Sequence, residues 1–245
     1  MTEIKHEFFD FSKEPDNEWI RVVRNCYQKS KEAKEALEAQ GITTYEEEEE
    51  YSLSANDRLE CLKDWGVPAR ILNNLTDLEQ LINTKAKIAV ENYLKQPKEA
   101  WCLVLSGGKG TGKSTAAALW LYENVPLNAN ETSYKKRYWW SGTKIARING
   151  YNKDYEKMIE AQYMVIDDLG IEYLDKNGNF LQRLDELIDE RYSNFRRTII
   201  TTNLNGAAFK ERYGDRVSDR MRESFSAGGQ YLEIPDESLR TARED

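Results

Sequence analysis

The chain has 245 residues, of which 40% are hydrophobic and 32% are charged, and its formal net charge at pH 7 is −8. This composition is typical of a soluble globular protein with one or two domains. The negative charge excludes a uniformly cationic nucleic-acid-binding protein. Three dispersed cysteines and a single histidine, His6, indicate neither a zinc cluster, nor a disulfide framework, nor a histidine-dependent triad. We expect a cytoplasmic protein without membrane contact, because no window approaches about 20 apolar residues and the first residues lack the layout of a secretory signal.

The negative charge is concentrated in the first part of the chain. Residues 1–100 hold 14 basic and 21 acidic side chains, a balance of −7, whereas residues 101–245 hold 21 and 22, a balance of −1. The second part therefore leaves room for a local basic patch. Five consecutive glutamates at 46–50 predict a solvated segment or linker.

The first hundred residues show helical patterns. Residues 16–41 place apolar side chains near one face and end at a glycine, and a shorter helix follows. Thr76 and Glu79 have the spacing of a capping box, which predicts that a third helix begins there and runs to about Leu94. We interpret residues 1–66 as a helical N-terminal region that binds a partner. A small helical domain without that role is the alternative.

From Trp101 onward, apolar strands alternate with helices. The predicted strands lie in "AWCLVLSG", "KRYWW", "QYMVIDD" and "RRTIITTN". This alternation predicts an α/β fold with a central, mostly parallel sheet flanked by helices. Three of the strands end in residues capable of chemistry, at Gly107, at Asp167 and Asp168, and at Asn203. Ligands of such sheets bind at the carboxyl ends of the strands, so we expect a site there.

The segment "GGKGTGKS", residues 107–114, has the spacing of a Walker A phosphate-binding loop (P-loop) between a strand and a helix. Its backbone N–H groups would surround the phosphates of ATP, and the helix N-terminus would add a favourable dipole. Lys113 would contact the β- and γ-phosphates, and the Ser114 hydroxyl would bind Mg²⁺. The predicted nucleotide-binding residues are Gly107, Gly108, Lys109, Gly110, Thr111, Gly112, Lys113, Ser114 and Thr115.

Two further strand ends complete the predicted site. The segment "YMVIDDLG" has the form of a Walker B strand, in which Asp167 would hold the Mg²⁺ shell and Asp168 would orient and deprotonate the attacking water. Because aspartate reaches less far than the glutamate that many ATPases carry, we expect slow hydrolysis. The segment "RRTIITTNLN" ends in Asn203, whose amide could bind the γ-phosphate or the water as a sensor, although an asparagine after a strand is often a turn former.

The stretch "ERYGDRVSDRMRES", residues 211–224, carries four arginines and four acids. Val217 and Met221 stand four residues apart, which predicts a helix that packs one face inward, while Arg216 and Arg220 form another row. The interleaved acids weaken the interpretation as a DNA-binding patch. A solvated face and a charge directed at another subunit's ATP are the two alternatives that remain.

These motifs together resemble the AAA+ ATPases of the DnaC/DnaI helicase-loader and IstB group. The resemblance spans roughly residues 95–235 and is carried by "LVLSGGKGTGKSTAA", "VIDDLGIE", "TIITTNLN" and "GDRVSDRMRE". It implies that Asp167 is the metal-site acid, Asp168 the catalytic acid, Asn203 the first sensor and Arg220 an arginine finger acting on another subunit. Arg216 is the alternative finger.

The resemblance also implies a partition of the chain and a set of partners. Residues 67–245 would form the AAA+ ATPase domain, self-associating with ATP shared between subunits. The chain would contact single-stranded DNA, and its N-terminal region would bind a replicative DNA helicase. An IstB-like ATPase that assists a transposase is the first alternative. A P-loop small-molecule kinase and a nucleotide-binding adaptor that hardly hydrolyses ATP are further ones.

Single-stranded DNA binding combines cations with stacking aromatic rings, and "KKRYWWSGTKIARING" contains both. The basic candidates for DNA contacts are Lys135, Lys136, Arg137, Lys144 and Arg147. The aromatic residues among them are Tyr138, Trp139 and Trp140, and one or both tryptophans could instead fill the core of a strand.

Overall fold

The computed structural model describes residues 53–125, 137–148, 150, 152–174 and 178–235, together with Glu32. The strands are β1 (Cys102–Gly107), β2 (Arg137–Ser141), β3 (Tyr163–Leu169), β4 (Arg197–Thr202) and β5 (Gln230–Ile234). The α-helices are α1 (Ala55–Asp64), α2 (Ala69–Leu72), α3 (Lys85–Leu94), α4 (Lys113–Glu123), α5 (Gly142–Ala146), α6 (Lys153–Glu160), α7 (Asn179–Ser193), α8 (Gly206–Tyr213) and α9 (Asp215–Ser226). Among the described residues, no helix combines the length and apolar character needed to cross a membrane.

The five strands form one parallel sheet in the order β2-β3-β4-β1-β5. The predicted α/β class with a parallel sheet is therefore confirmed. Strand β4 is the middle strand, and β1 lies next to it, pairing with β4 on one side and with the edge strand β5 on the other. Because the strands are parallel, their carboxyl ends lie at one edge of the sheet, which brings the ends of β1, β3 and β4 together.

Helices cover both faces of this sheet, and side chains alternate along each strand to fill the two layers. Leu103 and Leu105 of β1 face a core shared with α1 to α4. Cys102 and Val104 face a second core, built with α5 to α9 and their connections. The apolar pair of α9 packs into this second core, with Val217 1% and Met221 2% exposed, as the spacing of these residues predicts.

The part of the chain just before residue 67 belongs to the first of these cores. Leu53, Cys61 and Leu62 are buried among residues of α3 and α4, and the Trp139 N–H donates to the Trp65 carbonyl at 2.7 Å. Residues 53–66 therefore pack onto the sheet domain. Apart from Glu32, residues 1–52 lie outside the described residues, so the amphipathic helix expected at 16–41 stays a prediction. The division of the chain at 66/67 also stays a prediction, because most of the region proposed to precede it is not described.

The predicted start of the third helix is wrong. Helix α3 begins at Lys85, where the Thr84 hydroxyl accepts the N–H of Lys87 at 3.1 Å. Thr76 instead donates its hydroxyl to the Asn73 carbonyl at 2.9 Å. Asp77 accepts the backbone N–H groups of the next residues, 79 and 80. An acidic side chain that binds its own backbone competes with helix formation, which is why the capping-box spacing is misleading here.

A buried arginine joins the opposite, amino-terminal end of the sheet to its helices. The Arg191 side chain on α7 is 0% exposed, and its Nε donates to Thr198 Oγ1 at 2.7 Å. Its Nη1 donates to the carbonyls of Met158 and Ala161 at 2.8 and 2.7 Å. Burial of so polar a group is tolerated because its N–H groups have acceptors.

Candidate functional site: a phosphate loop and two acids

The loop between β1 and α4 turns through glycines in the left-handed region of backbone conformation. Gly107, Gly110 and Gly112 have φ of 138°, 83° and 86°, values that other residues rarely adopt. A Cβ on Gly107 would also lie 2.3 Å from the Ile234 carbonyl of β5. Gly112 is the N-cap of α4 and has no side chain to cap the first turn. That helix N-terminus is therefore suited to an anion.

Lys113, the first residue of α4, is 5% exposed and directs its charge into the loop. Its Nζ donates to the carbonyls of Gly107 and Gly108 at 2.7 and 2.5 Å, and to Thr111 Oγ1 at 3.3 Å. Lys109 is exposed. Thr115 accepts from Asn74 Nδ2 at 3.0 Å, so its side chain contacts the segment that precedes α3.

Three oxygen-bearing side chains meet at the ends of α4, β3 and β4. Asp167 Oδ1 accepts from Ser114 Oγ at 2.7 Å and from Thr201 Oγ1 at 2.6 Å. Burial raises the pKa of Asp167 above its usual range, an effect that the hydrogen bonds from Thr201 and Ser114 partly offset. The carboxylate is therefore held in place but under-compensated, which favours a cation beside it.

Ser114 and Asp167, the two predicted metal ligands, fit Mg²⁺. The ion prefers oxygen donors and is usually held in proteins by one or two side chains together with substrate phosphates. Here a hydroxyl and a carboxylate oxygen lie 2.7 Å apart, next to a loop shaped for phosphates. The observed hydrogen bond shows that both side chains already point at one location.

Asp168 adopts an unusual backbone conformation, with φ of 53°. Its N–H donates to Thr201 Oγ1 at 2.9 Å, so Thr201 contacts both acids. Thr201 was not among the predicted site residues. Its role depends on the register of β4 against β3, in which Ile166 pairs with Ile200 and an irregularity follows.

Asn203 follows β4 and lines an open cleft of about 440 Å³ next to the phosphate loop. The cleft is also lined by Ser106, Gly107, Gly108, Asn205, Glu233, Ile234 and Pro235. The sequence therefore placed Asn203 correctly beside the loop, but the contribution of β5 was missed. No motif marks the end of β5, and only its pairing with β1 brings it to the cleft.

A buried carboxylate, also missed, lies just beyond the two acids. The Glu172 side chain is 0% exposed. Its Oε2 accepts the Gly170 N–H at 2.7 Å, and its Oε1 accepts from Tyr213 Oη at 2.6 Å and from Arg212 Nε at 3.1 Å. Arg212 is thus in α8, bound to Glu172, and does not extend the arginine row of α9. The sequence offers no local signal for this contact, because the partners lie forty residues apart.

Arg216 and Arg220 lie against α7. Arg220 Nη1 and Nη2 are 2.7 and 2.5 Å from Oδ1 of Asp185 and Asp189, and its side chain is 12% exposed. Arg216 pairs with the same two acids at 3.2 and 3.5 Å and is 66% exposed. The ion pairs hold Arg220 at α7 rather than at the phosphate loop of its own chain.

The DNA candidates divide into buried and exposed residues. Arg137 is 5% exposed, donates to the Asn124 carbonyl and stacks 4.9 Å above the Tyr163 ring, so the prediction that it contacts DNA is wrong. Trp139 is part of the core. Lys144 and Arg147 are exposed on and after α5, and they remain candidates, whereas Lys135 and Lys136 lie outside the described residues.

The parallel strand order β2-β3-β4-β1-β5, with the glycine loop after β1 and the two acids at the end of β3, defines a P-loop fold of the AAA+ type. No family model matches the chain. A segment of 88 residues, 36% of the chain, is 32% identical to the uncharacterized protein YdaV of Escherichia coli strain K12, and the match spans 34% of that relative's length.

Solved structures share this fold. A putative primosome component from Streptococcus pyogenes serotype M3 aligns with a TM-score of 0.53 at 16% identity, covering 74% of this chain and 98% of that one. The structure of DnaI aligns with a TM-score of 0.52 at 16% identity, covering 71% and 94%. At this level of identity the comparisons establish the fold.

Substitution of Asp167 by Asn should separate stability from metal binding. Both hydrogen bonds at this side chain end on Oδ1, which asparagine retains as an acceptor, while the under-compensated charge is lost. Since the pKa of Asp167 is raised in the fold, its ionised form destabilises the protein above that pKa. We therefore expect the melting temperature of the metal-free variant at pH 7.5 to equal or exceed that of the wild type, with the difference shrinking as the pH falls.

In the same thermal-shift measurement, adding Mg²⁺ to the protein with ATP should raise the melting temperature of the wild type further, and this further rise should disappear in Asp167→Asn. The exposed Asp219→Asn on α9 is the matched control and should keep that gain. A variant that melts far below the wild type without metal would contradict the account of the Asp167 charge.

Proposed function

We propose that the chain is an ATPase that binds Mg²⁺–ATP between subunits, hydrolyses it and loads a replicative DNA helicase onto single-stranded DNA. The observation that supports the ATPase assignment best is the convergence of Lys113, Ser114, Asp167 and Asp168 at one edge of the sheet, with Thr201 bonded to both acids. A chance glycine-rich turn has no reason to lie beside such a set.

Each residue has a distinct task in the proposed reaction. Lys113 would exchange its contacts with the loop carbonyls for the phosphate oxygens, and Asp168 would orient the attacking water and accept its proton. Asn203 would contact the γ-phosphate or the water from the end of β4. Mg²⁺ held by Ser114 and Asp167 would neutralise charge that develops on the phosphates. Since Asp168 reaches less far than a glutamate, we expect slow turnover that assembly stimulates.

Lys113→Ala should abolish ATP binding and turnover. The substitution removes the cation inside the loop but leaves the glycine turns intact. Lys109→Ala is the matched control, since it removes an exposed cation of the same loop. Binding of a fluorescent ATP analogue and release of phosphate measure the two effects. Turnover by Lys113→Ala within ten-fold of the wild type would argue against the phosphate loop as the catalytic site.

The finger that would complete the site in another subunit is proposed to be Arg220, as the resemblance implies. Arg220 is held by Asp185 and Asp189 in the single chain, so assembly would have to exchange these carboxylates for a phosphate. Arg216 pairs with the same acids over longer distances and is more exposed. It therefore remains the alternative, and the two must be tested side by side.

Arg220→Ala should lower ATP turnover at high protein concentration by about 10³–10⁵-fold, the contribution typical of arginine fingers, and leave ATP binding by dilute protein unchanged. Arg220→Lys, which keeps an ion pair with α7, should also fail, because lysine lacks the planar fork. Arg222→Ala, an exposed arginine on the same helix, should behave as the wild type. If Arg216→Ala alone causes the loss, the finger is Arg216.

The helicase as partner rests on the sequence resemblance, supported by the shared fold with a putative primosome component and with DnaI. An IstB-like ATPase that assists a transposase would have the same ATPase core. The discriminating part of the chain is the proposed partner-binding region within residues 1–66. Because residues 53–66 are packed into the sheet domain, a truncation should begin at Leu53 to preserve that core.

The full chain should retain a hexameric replicative helicase in a pull-down, and a chain that begins at Leu53 should not, while both bind ATP. Single-stranded oligonucleotide binding by the complex, with Lys144→Ala and Arg147→Ala as variants, tests the DNA contact. Recovery of a transposase instead of the helicase would replace the loader proposal with the transposition-helper one.

A further inference from the structure

The side chain of Glu172 is buried and held by several hydrogen bonds. Its carboxylate is completely buried and accepts hydrogen bonds from Gly170, Arg212 and Tyr213. Arg212 also donates to the Glu172 carbonyl, so it contacts both the side chain and the backbone of this residue. A buried carboxylate persists only when it is paired and hydrogen-bonded, and here it is both.

We propose that Glu172 is a positioning residue of the ATPase site, which holds the chain after β3 so that Asp168 keeps its catalytic placement. The inference rests on the proposed ATPase function. Glu172 accepts the N–H of Gly170, which directly follows β3 and stands two residues after Asp168. Asp168, with φ of 53°, lies in the left-handed region that residues other than glycine rarely adopt, a geometry that persists only when its surroundings enforce it.

The two large side chains that flank Glu172 are exposed to solvent. Ile171 is 55% exposed and Tyr173 is 78% exposed, so these large side chains contribute little packing to the body of the domain. Glu172, between them, points inward and is buried. The carboxylate is therefore the main side-chain contact by which this segment is held to α8.

The start of α5 also packs closely against the Glu172 carboxylate. A Cβ placed on Gly142 would lie 2.9 Å from Glu172 Oε2, 3.1 Å from the Asp168 carbonyl and 3.2 Å from the Leu169 Cα. Gly142 therefore allows α5, the carboxylate and the backbone of the catalytic acid to approach one another closely. Displacement of the carboxylate would loosen the contacts around the Asp168 carbonyl as well as the Gly170 N–H.

The same carboxylate joins the catalytic acid to the helix with the arginines. Arg212 and Tyr213 end α8, and α9 begins at Asp215 after a single glycine. The geometry of Asp168 is thus linked through Glu172 to the base of the helix that carries Arg216 and Arg220. Positioning of this kind matters because a misplacement of about 1 Å can lower a rate about 10²-fold.

Glu172→Gln tests the proposal with little change in volume. Whichever way the amide is oriented, its NH₂ group faces an N–H donor, either that of Gly170 or that of Arg212, so at least one hydrogen bond is lost. We expect kcat for ATP to fall by roughly 10- to 100-fold, with ATP affinity within about two-fold of the wild type. Amide hydrogen exchange in a peptide covering 168–174 should accelerate at least about ten-fold.

Tyr213→Phe removes a single hydroxyl and keeps the proposal testable if Glu172→Gln does not fold. It should lower kcat in the same direction by a smaller factor, roughly 3- to 10-fold. Thr198→Val is the matched control, since it removes a buried hydroxyl that accepts from Arg191 at the opposite end of the sheet. It should change neither the exchange of 168–174 nor kcat at a temperature where the protein is folded.

The outcomes separate this proposal from the ATPase proposal. If the wild type hydrolyses ATP and both Glu172→Gln and Tyr213→Phe keep its kcat, the positioning role is overturned and the ATPase stands. An equal loss in Thr198→Val would also overturn it, because general destabilisation would then explain the effect. If the wild type shows no turnover at any protein concentration, the ATPase proposal fails first, and the positioning role falls with it.

Discussion

The hydrogen bonds from Ser114 and Thr201 to one oxygen of Asp167 are the interaction on which the site depends. They join the first turn of α4, the end of β3 and the end of β4, three elements that are far apart in the sequence. The parallel pairing of β4 with β1 and β3 brings the ends of these elements close together. Because Asp167 is buried and under-compensated, the contact also leaves a location that favours a cation.

The ion pair that joins α8 to the segment after β3 differs in burial from the ion pairs that join α9 to α7. Before α8, the carboxylate of Glu172 is buried and matched by Arg212, so that it stabilises one geometry of the segment after β3. After α8, Arg216 and Arg220 share two acids of α7. Arg216 is 66% exposed, and exposed pairs of its kind contribute little to stability, whereas Arg220 is 12% exposed and pairs at shorter distances. A weak, exposed ion pair is one that the proposed assembly could exchange for another partner, whereas the buried Glu172 contact is suited to holding a fixed shape.

Most of the fold was predictable because its patterns are local. The alternation of apolar strands with helices predicts the parallel sheet, and α9 buries the apolar pair that its spacing predicts. Two of the predictions fail because a side chain makes a contact that its sequence pattern does not indicate. Asp77 binds its own backbone and moves the start of α3 to Lys85. The sequence predicts that Arg137 contacts DNA, yet its long side chain reaches the Asn124 carbonyl and the rings of Trp65 and Tyr163.

By itself the sequence located the glycine loop at 107–114, the acids Asp167 and Asp168, and Asn203 after β4, because each belongs to a contiguous motif with its own spacing. Only the tertiary structure decided what surrounds them. The contact of Thr201 with both acids requires the pairing of β4 with β3, and the burial of Glu172 requires α8 to fold back onto the segment after β3. Such contacts join residues thirty to forty positions apart, a separation at which local spacing contains no information.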